Sequence, residues 1–318
     1  MILLILLGAG AYVGWNIGAN DTANCVGTTV GCGLISYKRA VLLVSVFVIL
    51  GALIDGDHVM KTVGKGIINQ PLDYLAIFVA LLCSGVFVTL ATFFSIPTST
   101  SQAIVGGVLG IGLATGAQIQ YSKLIIIAES WVLCPILVLG LSYGLYFLLT
   151  LLIRNLRMGT LLVQNGLGLL SILSACYLSY SMGANNAGNA VGPIANLGVV
   201  NPQILLAIGG ISIAIGAITY GKKVADTVGK GITPLDIPGA FIAQVSSAFG
   251  MHMFSLMGIP VSTSSAIVGA VVGVGLVKGA KSISKKTILT ILIGWVLTPT
   301  LAAVTAFLLY KFLKTFVI

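Results

Sequence analysis

The chain contains itself twice. GANDTANCVG at 18–27 is matched by GANNAGNAVG at 183–192, and TVGKGI at 62–67 recurs unchanged at 227–232. IPTSTSQAIVGGVLGIGL at 96–113 returns as IPVSTSSAIVGAVVGVGL at 259–276, with 13 of 18 positions identical, and WVLCP at 131–135 returns as WVLTP at 295–299. The four offsets are 165, 165, 163 and 164 residues. A duplication this regular demands an architecture of two equivalent units. Residues 1–157 are assigned to a first repeat and 158–318 to a second, together forming one unit.

Composition says where that unit sits. Charged residues make up 7% of the chain and hydrophobic residues 58%, whereas soluble domains carry about 25% charged residues. Disordered chains are charge-rich and poor in apolar residues, so disorder is excluded as well. Apolar runs of about 20 residues suffice to cross a bilayer, and the sequence holds many. The net charge of +9 does not point to nucleic acid, because the basic residues sit in short breaks between apolar runs and form no patch interleaved with aromatics. The five cysteines, Cys25, Cys32, Cys83, Cys134 and Cys176, lie in or beside apolar stretches without CxxC spacing. They read as small buried hydrophobes, not as disulfides or zinc ligands. Residues 1–13 lack the positive n-region of a signal peptide and read as the start of the membrane unit.

Loop charges separate a parallel duplication from an inverted one, because Lys and Arg stay on the cytoplasmic side. Lys38 and Arg39 follow the first block, where repeat two has Val200, Asn201, Pro202 and Gln203. Around TVGKGI the bias reverses: Asp55, Asp57, Lys61, Lys65 and Asp73 face Lys222, Lys223, Asp226, Lys230 and Asp236 in the equivalent stretch. After the third block a single Lys123 corresponds to Lys278, Lys281, Lys285 and Lys286. The expectation is an all-α polytopic protein of the plasma membrane, about 10–12 membrane helices in an inverted repeat. Each repeat is expected to cross an odd number of times, taken as five. Both termini are then outside, and so is the loop at 55–73, with Lys38/Arg39 and Arg154/Arg157 inside.

Two polar interruptions fall at membrane depth in each repeat, and both are expected to be broken helices at the midplane, which survive only where they line a cavity or are buried in protein. The second, Pro97 to Gln102, reads as a helix start: Pro and Ser/Thr precede an Ala/Val/Ile/Gly run. Such a start offers unpaired N–H groups, hydroxyls and a positive dipole end, which suit an anion. Thr98, Ser99, Thr100 and Ser101, with Ser262, Thr263, Ser264 and Ser265 in repeat two, are the candidate anion ligands. The competing reading is that these hydroxyls merely cap buried helices; paired occurrence in corresponding halves favours a transport site. The first interruption adds Asn20, Asp21 and Asn24, and Asn185, Asn186 and Asn189 in repeat two. Carboxylate and amide oxygens suit a hard cation, and an acid inside the membrane is a functional candidate by default. Glu129 is a second such acid, with an interfacial position next to Lys123 as its alternative; Gln102 and Gln244 are weaker polar candidates. Gly64-Lys65-Gly66 lacks the GxxxxGK[ST] frame of a phosphate loop and is placed in a loop. His58 falls in an expected loop and His252 reads as a satisfied buried histidine; neither is given a role.

These residues carry a resemblance. GANDTAN and GANNAGN, one in each half, resemble the paired signature of the inorganic phosphate transporter (PiT) family, and PTSTS with PVSTSS resembles its second paired element. The likeness covers essentially the whole chain. It implies a sodium-coupled phosphate symporter, no enzyme, working by alternating access. Inorganic phosphate and sodium are the implied partners, with no cofactor beyond the co-transported ions and a homodimer as one oligomeric state compatible with it. Carried over by position, the family's ion and substrate residues fall on Asn20, Asp21, Asn185 and Asn186 and on Thr98–Ser101 and Ser262–Ser265. Together with the candidates read from residue type, phosphate is assigned to Asn20, Asp21, Asn185, Thr98–Ser101 and Ser262–Ser265, and sodium to Asn20, Asp21, Asn24, Asn185, Asn186, Asn189 and Glu129. Many members have Asp where this chain has Asn186, which removes a charge from the second half. Proton coupling, or transport of sulfate or a neutral metal–phosphate complex on the same architecture, stays open. A channel fits a sealed two-sided site poorly, and an enzyme lacks any nucleophile–base pair.

Overall fold

The computed structural model describes residues 1–93, 98–156, 160–222, 235–279 and 285–316. Within them the chain forms helices α1 (Ile2–Gly31), α2 (Tyr37–Lys61), α3 (Tyr74–Phe93), α4 (Thr100–Thr115) and α5 (Tyr121–Leu156) in the first half. The second half supplies α6 (Thr160–Ala195), α7 (Pro202–Thr219), α8 (Ile237–Leu256), α9 (Thr263–Lys278) and α10 (Lys285–Phe316). Seven helices are long and apolar enough to cross a membrane. Thr62–Gly66, expected as a loop, is instead a π-helical turn that prolongs α2. Its copy at 227–232, with Lys223, Asp226 and Lys230, lies outside the described residues, as do Lys281, Arg157 and Pro97.

The hairpin α3–α4 departs from the expected path. Ser84 Oγ donates to Ala103 O at 3.0 Å, and a Cβ on Gly107 would meet Ser84 Oγ and Ala80 O. Residue numbers rise in one helix as they fall in the other, so the two are antiparallel neighbours. Their outer ends are pinned together, with Gln120 N donating to Ile67 O at 2.9 Å and Ile68 bridged to Ile119. The segment therefore enters and returns on one side. In repeat two, Gly239 of α8 packs against Val274 of α9 in the same way. Among the described residues each repeat thus has five helices, three long ones and two that form a hairpin returning to the side it entered from; the long helices are odd in number, so the repeats still invert. Asp73 and Asp236 start the two hairpins by accepting Ala76 N and Gly239 N. Ser99 and Ser262 start the returning helices by accepting Gln102 N and Ser265 N, which fills donors that a helix start leaves open.

The inversion is visible in helix directions. Gly10 of α1 packs beside Ala190 and Ile194 of α6, whereas Cys25 lies beside Met182, with sulfurs 3.6 Å apart. The copies α1 and α6 thus run antiparallel. They approach their other neighbours very closely: a Cβ on Gly18 would lie 1.9 Å from Ile213 O, and one on Gly183 would lie 2.0 Å from Val48 O. No side chain fits at either position, and this is how small residues at a membrane helix interface let backbones meet. The long last helix of each repeat packs along the other repeat's hairpin. Pro135 and Leu139 of α5 lie against Gly269 and Gly273, and Pro299 and Ala303 of α10 against Gly106 and Gly110. Tyr310 donates to Asp73 Oδ2 at 2.8 Å and Tyr146 to Asp236 Oδ2 at 3.2 Å, tying each hairpin base to the opposite repeat.

The break expected at Asn16–Asn24 is absent, since α1 runs through it unbroken. So does α6 through Asn185–Asn189. Asn20, Asn24, Asn185 and Asn189 reach partners on neighbouring helices, and Asn16 and Thr22 donate back to Tyr12 O and Gly18 O one turn earlier, a bond that leaves the helical ladder in place.

Candidate functional site

Two hairpins entering from opposite sides meet tip to tip where α1 and α6 cross. The contacts there come in pairs related by the repeat. Asn24 Nδ2 donates to Ser264 Oγ at 3.0 Å, and its counterpart Asn189 Nδ2 donates to Ser101 Oγ at 2.8 Å. Ser101 Oγ donates to Val261 O at 2.7 Å, and Ser264 Oγ lies 3.4 Å from Thr98 O. Asn20 Nδ2 donates to Thr92 Oγ1 at 2.8 Å, and Asn185 Nδ2 to Ser255 Oγ at 3.0 Å. Thus each crossing helix holds the tip that belongs to the other repeat and the ascending arm that belongs to its own.

The symmetry is broken at one point. Thr100 Oγ1 donates to Asp21 Oδ2 at 2.9 Å, whereas at the equivalent place Asn186 Nδ2 donates to Thr263 Oγ1 at 3.0 Å. A carboxylate can only accept, so the same contact runs in opposite senses. Asn186 Nδ2 also reaches Asp21 Oδ2 at 3.3 Å, joining the two halves directly. Asp21 is 1% exposed and is the acid of this cluster. Its hydrogen-bond partners include the uncharged Asn24, Thr100 and Asn186, with Thr263 and Ser264 also in reach.

Among the described residues the buried polar atoms without a partner are Thr98 Oγ1, both amide atoms of Gln102, Ser265 Oγ, Asn185 Oδ1 and Asn189 Oδ1 in this cluster, with Thr28 Oγ1 and Ser246 Oγ besides. Buried polar groups are nearly always paired, and an orphan calls for an explanation. Gln102 and Ser265 are repeat equivalents in the first turns of α4 and α9 and can donate. Asn185 and Asn189 lie one turn apart on α6, where their oxygens can only accept. A site with orphaned donors at helix starts and orphaned acceptors beside a carboxylate has the chemistry to hold an anion and a cation together.

The sequence matches the family described as "Phosphate transporter family" over residues 17–166 and again over 162–306. The chain belongs to the phosphate transporter family. A protein of Pyrococcus horikoshii named "Putative phosphate permease PH0640" is 31% identical over 398 residues, covering 98% of this chain and 97% of its own. One of Chlamydia muridarum, named "Putative phosphate permease", is 30% identical over 421 residues, covering 99% and 98%. Both alignments are longer than the 318 residues here, so each relative carries segments that this transporter lacks. A solved structure titled "The sodium-dependent phosphate transporter" superposes with a TM-score of 0.90 at 29% identity, over 99% of this chain and 100% of that one.

Within the transporter, the fold brings Asn20, Asp21, Asn24, Thr98–Gln102, Asn185, Asn186, Asn189 and Ser262–Ser265 into one buried cluster. Two candidates do not join it. Glu129 is exposed on α5, as its interfacial alternative requires. Gln244 is buried but occupied: its Nε2 donates to Cys25 O and Thr29 Oγ1, and its Oε1 accepts from Ser174. The backbone carbonyl oxygens of the GAND segment belong to the unbroken helix α1, which leaves the side chains as the cation ligands on offer. Ser99 and Ser262 act as caps, so part of the competing reading holds for these two hydroxyls. Thr92 and Ser255 escaped the motif reading. They stand at the 163-residue offset just ahead of the third block, and extending the repeat alignment by four residues would have paired them.

Proposed function

We propose that this chain is a secondary active symporter that imports inorganic phosphate with sodium by alternating access. Phosphate lies between the first turns of α4 and α9, and sodium lies among Asp21, Asn20, Asn24, Asn185, Asn186 and Asn189. The observation that carries this reading is the pairing of two hairpin tips around one buried carboxylate with partnerless donors and acceptors on either side. The sodium-dependent neighbour supports the choice of cation.

The electrostatics favour coupling. A phosphate beside Asp21 repels it, and no Lys or Arg bonds to the cluster among the described residues, so cations placed between the two acids make the site tenable. Moving a doubly charged anion into a negative interior costs about 4.6 kcal/mol at 100 mV, from about 2.3 per charge. Two sodium ions cancel that electrical term. Because each ion screens the other's burial, sodium and phosphate raise one another's affinity reciprocally. Burial of the whole cluster fits an occluded arrangement, from which one hairpin or the other withdraws to open a single side.

Uptake of radiolabelled phosphate into proteoliposomes tests this. An inward sodium gradient is expected to drive concentrative uptake that choline does not, with sulfate a poor competitor. Uptake driven equally by a proton gradient in choline would overturn sodium coupling.

The proposed orientation has its own test. In a background lacking the five native cysteines, Lys38→Cys should be protected from an impermeant thiol reagent in intact cells and Gln203→Cys should react. The reverse pattern would flip the molecule in the membrane.

A further inference from the structure

We infer that His252 and Asp55, framed by Tyr177 and Tyr180, form a proton-binding site at the shoulder of the second hairpin, apart from the ion cluster. His252 lies on α8, three residues before Ser255, which receives the Asn185 amide. Its Nε2 is 3.1 Å from Asp55 Oδ2 on α2, and its Nδ1 is 3.0 Å from Tyr177 Oη on α6. Tyr180 Oη donates to the same Asp55 oxygen, and both tyrosine rings stand edge-on to the imidazole. The His252 and Asp55 side chains are 21% and 18% exposed, so the pair is not sealed inside the protein, and Asp55 stands just ahead of the charged Asp57 and Lys61 at the end of α2.

The geometry accommodates two protonation states. Asp55 can only accept, so in the neutral ring Nε2 carries the hydrogen and Nδ1 accepts from the Tyr177 hydroxyl. A second proton goes onto Nδ1, and the hydroxyl turns round to accept it; no other contact changes. The charge does change, from −1 on the cluster to a neutral His⁺–Asp⁻ pair. On α2, His58 follows Asp55 by three residues and is exposed, and Asp57 pairs with Lys61; α6 contributes the two tyrosines; Val138 and Leu137 of α5 pack at Gly250. No Lys or Arg side chain bonds to Asp55 among the described residues.

The repeat supplies an internal control. At the 165- and 163-residue offsets, Tyr177, Tyr180, His252 and Asp55 correspond to Tyr12, Trp15, Thr89 and Tyr220. There Tyr12 is hydrogen-bonded to Thr89, and Trp15 stacks on Tyr12, contacts Tyr220 and donates to Thr219 Oγ1 at 2.9 Å. The first hairpin is therefore joined to its neighbours without an ionisable pair at the equivalent place. The second shoulder differs from the first in carrying an ionisable pair, and what that pair adds is sensitivity to protons. When His252 is charged, the second hairpin is held more firmly to α2 and α6, and its withdrawal slows.

The chain has two histidines, so His58→Gln leaves His252 as the single imidazole for nitrogen NMR of labelled, purified protein. Spectra recorded from about pH 9 down to about pH 5 are expected to show the ring gaining a proton, and a ring that keeps one protonation state throughout would overturn the site. This arm needs no transport. The second arm rests on the symport reading: the ratio of His252→Gln to parent uptake rates, in which phosphate's own titration cancels, should rise about threefold from pH 8 to pH 6. Asp55→Asn should show the same trend. A flat ratio with a titrating histidine would leave phosphate transport standing and overturn the coupling of this site to it.

Discussion

Sodium-driven phosphate uptake is expected to disappear in Asp21→Asn, with the protein still folded in the membrane. The substitution preserves shape, and the site shows that an amide can stand in such a place, because Asn186 occupies the equivalent position and bonds to Thr263. What it removes is charge. A sodium ion about 4 Å from a carboxylate gains about 4 kcal/mol at the effective dielectric of such sites, and each 1.4 kcal/mol is a factor of ten. Sodium affinity should therefore fall at least a hundredfold, and phosphate affinity with it through linkage. Asn186→Asp, which adds an acid instead, should be better tolerated. Sodium activation of normal strength in Asp21→Asn would remove the carboxylate from the mechanism.

How much of this was legible in the residues differs from feature to feature. The inversion was readable because Lys38/Arg39 and Val200–Gln203 are equivalent loops of opposite bias, and the helix directions agree. The hairpins were not, since 74–113 is an apolar stretch with one Pro-Ser/Thr break whether it kinks across the membrane or turns back inside it. The deciding contacts, Ser84 to Ala103 and Gln120 to Ile67, are tertiary. Asn20 to Asn24 looked like a helix breaker because Asn and Asp compete for backbone when exposed. Their amides instead reach Thr92 and Ser264, 72 and 240 residues away, and sequence proximity carries no trace of that. Glu129 shows the opposite limit: an acid in an apolar run joins the buried cluster only if the helix turns it inward, and α5 leaves it exposed. The pairing of His252 with Asp55 spans 197 residues and was equally hidden.

The central claim is that phosphate is held by both hairpin tips at once, and the partnerless donors allow a clean test of it. Gln102 and Ser265 make no side-chain hydrogen bond through those atoms in the protein, so Gln102→Leu and Ser265→Ala break none. Ser99→Ala and Ser262→Ala would also uncap α4 or α9, at about 1 kcal/mol, and report on the ligand less directly. A hydrogen bond to a charged group contributes about 1.5–3 kcal/mol, which corresponds to roughly ten- to a hundredfold in affinity. The measurement is equilibrium binding of radiolabelled phosphate to each purified variant at saturating sodium. Losses of about tenfold or more are expected from Gln102→Leu on the first tip and from Ser265→Ala on the second. Affinity unchanged within about twofold for the variant of either tip would contradict a cradle shared between the two hairpins.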